Sequence, residues 1–75
     1  MLPYGNAGDG SGVEAYECGI DWIRVRFRNG ATYVYDETRP GPEHVARMKE
    51  LAEAGRGLST YISRYVKGDY ARLER

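Results

Sequence analysis

Asn29-Gly30 sits between two alternating runs in the stretch WIRVRFRNGATYVY, residues 22–35. That dipeptide is the strongest short-range hairpin signal, because both residues tolerate the positive φ of a type I′ turn. With Asn29-Gly30 as a two-residue loop, Arg28 pairs with Ala31, Phe27 with Thr32, Arg26 with Tyr33, Val25 with Val34 and Arg24 with Tyr35. Side chains alternate across a strand. One face of the hairpin then carries Ile23, Val25, Phe27, Thr32 and Val34, and the other carries Trp22, Arg24, Arg26, Arg28, Tyr33 and Tyr35. The first face can close a core. The second mixes cations with aromatic rings.

Seventy-five residues allow one domain, and the net charge is zero, so no global field recruits nucleic acid or a membrane surface. Charge is unevenly spread: from Arg56 to Arg75 five basic residues face two acidic ones. Cys18 is the single cysteine, which excludes an internal disulfide. No signal-peptide core and no long apolar run is present, so a reducing cytoplasm is the expected compartment. Seven tyrosines and a 41% hydrophobic content argue for a folded body.

Residues 1–12, MLPYGNAGDGSG, are glycine-rich and aperiodic and read as a flexible tail before a single domain over 13–75. The Gly8–Gly12 run is no phosphate loop, since neither a preceding strand nor a Lys at P-loop spacing accompanies it. Residues 13–18 read as a first strand. Gly19-Ile20 suits a type II′ turn that sets Glu17 beside Trp22 and Ala15 beside Arg24. Pro-Gly at 40–41 separates the sheet from a helical region, and Pro42 suits the first position of a helix. Val45, Met48, Leu51 and Ala52 recur at helical spacing up to Gly55, placing a helix over 42–54. Leu58, Tyr61, Ile62, Tyr65 and Val66 make a second apolar stripe, placing a helix over 58–67, with Arg64 and Lys67 on its opposite side. Beyond Gly68 the chain adds a last turn, with Tyr70 and Leu73 touching the core, or frays. The expected fold is α+β: a three-stranded antiparallel β-meander with two short α-helices packed on one face. Its expected core is Ile23, Val25, Phe27, Val34, Val45, Met48, Leu51, Leu58, Ile62 and Val66.

Chemistry is sparse. His44 is the only histidine; Glu43 and the Asp36-Glu37 pair could lie near it as a weak metal site, but one His with no Cys nearby is poor ligand density, so a solvated first-turn residue is expected. Cys18 lacks an evident base and reads as a partly buried small hydrophobe. Gly55-Arg56-Gly57 reads as a helix–helix turn rather than an anion site. No catalytic, cofactor or metal residue is expected, and the chain reads as a non-catalytic interaction domain. Its candidate binding face is Trp22, Arg24, Arg26, Arg28, Tyr33 and Tyr35, with Arg64 and Lys67 as a secondary candidate. Aromatics with Arg are enriched at protein interfaces, which suggests an unknown protein partner or self-association. Cross-strand Arg–Tyr pairs also stabilise a plain solvated face. Base stacking with phosphate neutralisation, hence RNA or other nucleic acid, ranks behind these two.

Val25, Phe27, Gly30, Tyr33 and Tyr35, with Gly57, Tyr61 and Tyr70 after them, resemble the small KTSC-type domains, whose pattern is a strand, a V-x-F-x-x-G-x-x-Y-x-Y hairpin and two short helices. The chain departs from that pattern in a shorter turn before Trp22 and in GLSTYISRYV along the second helix. The resemblance implies the α+β fold and transfers no catalytic residues to this chain. Through the lysyl-tRNA synthetases from which the family takes its name, it implies an RNA association.

Overall fold

A computed structural model of the chain describes residues 2–4 and 12–74. Its elements are β1 (Leu2–Pro3), β2 (Val13–Cys18), β3 (Trp22–Phe27), β4 (Thr32–Asp36), α1 (Pro42–Ala54), α2 (Leu58–Tyr61) running directly into a π-helical turn (Ile62–Val66), and β5 (Arg72–Glu74). The fold is α+β, as expected, but the antiparallel sheet has five strands in the order β1-β2-β3-β4-β5 rather than three. The two added strands are short edges. A three-stranded meander would leave two rows of unpaired backbone groups open to other chains, and β1 and β5 cover part of both.

The central hairpin is offset by one residue from the expected pairing. Ile23 faces Tyr35, Arg24 faces Val34 and Val25 faces Tyr33. The loop holds three residues: Phe27 N–H donates to Ala31 O at 2.8 Å, and Gly30 N–H donates to Phe27 O at 2.9 Å. Gly30, at φ 96°, is the left-handed third residue of a type I turn with a G1 bulge. The Asn29 side chain accepts from Ala31 N–H at 2.9 Å and braces this turn. Asn-Gly therefore satisfies a three-residue loop as well as a two-residue one. The longer loop wins because it turns two tyrosines inward. A one-residue slip moves a whole strand to the other face, so Tyr33 and Tyr35 join Ile23, Val25 and Phe27 under the helices. Thr32 and Val34 join Trp22, Arg24 and Arg26 outside.

The helices cover the inner face. Tyr16, Ile23, Val25 and Tyr35 from the sheet meet Val45, Met48, Ala52, Leu58, Ile62 and Val66 in one cluster. Phe27 and Leu51, expected in the core, are partly buried at its margin. Val34 is buried too, but on the outer face, between the long side chains of Arg24 and Arg72 on the flanking strands. Between β2 and β3 the turn residues are Ile20-Asp21, one position later than expected, with Gly19 N–H donating to Trp22 O at 2.9 Å. That moves the pairing by two residues and preserves facing: Glu17 lies beside Arg24 and Ala15 beside Arg26.

α1 keeps its expected bounds, opened by Pro42 and closed by Gly55 at φ 79°. The second helix does not keep α geometry. After one turn it widens to i→i+5 bonding, which keeps Leu58, Ile62 and Val66 buried but leaves Tyr65 57% exposed. Of the expected tail, Leu2 and Pro3 pair with Tyr16 and Ala15, and Tyr4 is 5% exposed within the core. The Tyr4 hydroxyl accepts the Leu58 N–H at 3.2 Å, satisfying a helix-start donor that Gly57 has no side chain to cap. Residue 1 and residues 5–11, and with them most of the expected tail, lie outside the described residues. Residues 72–74, expected as a last turn or a frayed end, are strand β5.

Candidate functional site

The uncovered face of the sheet presents Glu17, Trp22, Arg24, Arg26, Asp36, Arg72 and Glu74 side by side across four strands. Arg24 occupies its middle. Its Nη1 donates to Glu17 Oε1 at 2.8 Å and its Nη2 to Glu74 Oε1 at 2.7 Å, while Arg72 Nη2 lies 3.1 Å from Glu74 Oε2. Two arginines and two glutamates thus neutralise one another. The Arg24 hydrogen bond, with the charge of Arg72 behind it, holds the Glu74 carboxyl below the usual glutamate range. Glu74 in turn raises the Arg24 guanidinium, partly offset by burial. Arg24 Nε is buried without a hydrogen-bond partner, while the two Nη groups take the flanking carboxylates.

Trp22 lies at one end of this face. Its indole rests directly on Gly19, where an added Cβ would stand 2.0 Å from ring atoms. Gly19 is held in turn by Lys49 of α1, whose ammonium donates to the carbonyls of Gly19 and Ile20. Beside Trp22 opens a groove of about 600 Å³ over Arg24 and Val34, rimmed by Asp21, Asp36 and Glu37. None of the three rim carboxylates has an ion-pair partner among the described residues. The Asp36 carboxylate accepts the N–H groups of Thr38 and Arg39 at 2.9 and 3.0 Å, which fixes it in place and leaves its charge uncompensated.

The candidate face read from the sequence is therefore divided. Trp22, Arg24 and Arg26 share the outer face, with Arg26 exposed toward its far end, and Arg28 lies in the hairpin turn. Tyr33 and Tyr35 lie on the opposite side, so the expected interleaving of arginines with tyrosines does not form. Arg64 and Lys67 are exposed around the second helix, away from the outer face. Lys67 meets Tyr33 and Tyr35 instead, at a separate pocket of about 360 Å³ on the inner side. In the sequence Asp36 and Glu37 stand out only beside His44, and neither the rim acids nor the pocket's Tyr70 read as part of a binding site. Asp21 belongs to the Ile20-Asp21 turn, and Asp36 and Glu37 to the break after β4. The β3–β4 hairpin, which pairs Trp22 with Asp36, brings them together.

The other chemical residues are engaged locally. His44 Nδ1 lies 2.6 Å from Tyr61 Oη, so the histidine is a packed partner of the second helix rather than a solvated residue. Burial raises the Tyr61 phenol, against the opposing charge of Arg47. Cys18 is exposed rather than partly buried, and partial desolvation nonetheless raises its thiol, with Lys49 opposing. Among the described residues no three His, Cys, Asp or Glu side chains converge as a metal site. Nor is any helix among them long and apolar enough to cross a membrane. Compared with protein families, curated proteins and solved structures, the chain matches none.

Proposed function

We propose that the protein is a non-catalytic interaction domain that binds a basic segment of a protein partner through the outer face of its sheet. One observation carries this: the Trp22 groove, lined by Arg24, Arg72 and Glu74 of the network that Glu17 balances from beside it, and rimmed by three more carboxylates without ion-pair partners among the described residues. A Lys or Arg side chain entering there meets the indole for a cation–π contact and the rim for charge pairing. The same charge balance disfavours phosphate at Arg24, one of the three arginines on which the nucleic-acid alternative relies. A cytoplasmic setting suits the exposed free thiol of Cys18.

Trp22 is the single tryptophan and reports on its own groove. A short Arg/Gly-rich peptide is expected to shift its emission, with affinity falling as salt rises. Asp21→Asn and Glu37→Gln should each weaken binding about two- to fivefold, the worth of an exposed charge pair. A Glu-rich peptide or single-stranded RNA that binds with equal affinity would overturn the proposal. So would a second copy of the chain occupying the face in sedimentation.

A further inference from the structure

On the opposite side of the sheet, where the second helix ends, Phe27, Tyr33, Tyr35 and Tyr70 with Ile62 enclose the pocket of about 360 Å³ that Lys67 borders. Ligand sites typically begin near this size and combine apolar walls with a few converging polar groups. The rings brace one another edge-on: Phe27 to Tyr33 with centroids 5.4 Å apart and Tyr33 to Tyr70 at 4.8 Å. Their arrangement is therefore set before anything binds.

The polar groups include donors and no anion. Tyr35 is 2% exposed, lines the pocket, and its hydroxyl has no hydrogen-bond partner among the described residues. The hydroxyl itself keeps accessible surface, since the one fully buried unpaired side-chain atom among the described residues is Arg24 Nε, and it is open to a partner that enters the pocket. Asn29 uses its side-chain oxygen on Ala31 N–H, which leaves its amide N–H groups as donors. Lys67 has no ion-pair partner among the described residues, and no carboxylate lines the pocket. The one charged group in the lining is thus the Lys67 cation, and the Tyr35 hydroxyl and the Asn29 amide can both donate beside aromatic walls.

We propose that this pocket binds a small planar aromatic carboxylate. Its ring would lie among Phe27, Tyr33 and Tyr70, and its carboxylate would accept from Tyr35, Asn29 and Lys67. Burial pushes the Tyr35 phenol up, with Tyr33 and Tyr70 adding to the effect, so Tyr35 stays a neutral donor through the physiological range. The site is distinct from the Trp22 groove, and neither depends on the other.

The experiment is a ¹H–¹⁵N NMR titration of the full chain with 2-naphthoate, 2-naphthamide and 2-naphthylmethylamine. The acid should shift the amides of Tyr33, Tyr35, Lys67 and Tyr70 and leave Trp22 and Asp36 unmoved. The neutral amide should bind about tenfold more weakly, and the amine not at all. Tyr35→Phe keeps the ring and should lose about tenfold in affinity for the acid, the worth of a hydrogen bond to a charged group. Lys67→Gln, at an exposed position that does not support the fold, should lose about threefold and erase much of the preference for acid over amide. Equal binding of all three compounds, no shifts at the pocket, or unchanged affinity in Tyr35→Phe with a wild-type amide spectrum would each overturn the assignment.

Discussion

Replacing Tyr4 by Phe removes one oxygen from the protein and tests how the second helix is started. Leu58 is fully buried at the first position of that helix, and its N–H has the Tyr4 hydroxyl as acceptor at 3.2 Å. Without that oxygen the N–H is left buried and unpaired, which costs about 1–3 kcal/mol. The bond is at the long end of the N–H···O range, so the cost should fall near the lower figure, about 1 kcal/mol. For a domain of this size that lowers Tm by about 4–8 °C. Thermal and urea melts monitored by far-UV circular dichroism read the stability, and hydrogen exchange at the Leu58 amide reads the local event. Tyr4→Ala also removes the ring and should cost about 3–5 kcal/mol, as for other large aromatic truncations. Tyr65→Phe, at an exposed position, is the control and should melt with the wild type. A Tyr4→Phe protein that melts with the wild type and keeps Leu58 protected would refute the cap and return residues 2–4 to the status of a tail.

Gly19→Ala forces a methyl group into the space of the Trp22 ring and should swing the indole off the groove, read as a red-shifted emission and a changed near-UV spectrum; an unaltered spectrum would contradict the contact. Glu74, whose carboxyl is held low by Arg24, contributes stability that is full above the ordinary glutamate value and is lost as pH falls through its depressed folded value. Acid should therefore release the amides of β5 to exchange before those of β2 and β3. Glu74→Gln should remove that pH dependence, and an identical acid profile in the variant would show that the Arg24 network does not hold the strand.

Local repetition is the part of this fold that can be read along the chain. β2, β3 and α1 appear where alternation and helical spacing place them, because each buries one face whichever neighbour supplies the other half of the core. The inward facing of Ile23 and Val25 has the same origin, as does the outward facing of Arg24 and Arg26. The candidate site was legible only in part: Trp22 and Arg24 lie on the uncovered face, but their charge partners cannot be deduced from the hairpin. Glu74 is fifty residues from Arg24 in sequence, and only the pairing of β5 with β4 brings it within 2.7 Å.

The rest was decided by tertiary structure. Asn29-Gly30 supports loops of two or three residues at similar local cost, so the hairpin alone does not choose its register. Burial of Tyr33 and Tyr35 beneath the second helix does. Leu2–Pro3 and Arg72–Glu74 are too short to form strands alone, and their sequences carry no strand signal. They are ordered by pairing with the edge backbone groups that β2 and β4 present. The π-helical turn has the same origin: the apolar stripe from Leu58 to Val66 reads as an ordinary α-helix, and packing of Ile62 and Val66 against the sheet selects the wider bonding that turns Tyr65 to solvent. Local pattern determines which segments are helix or strand. Register, edges and the faces of the tyrosines depend on contacts between residues distant in sequence, whose energies no local window contains.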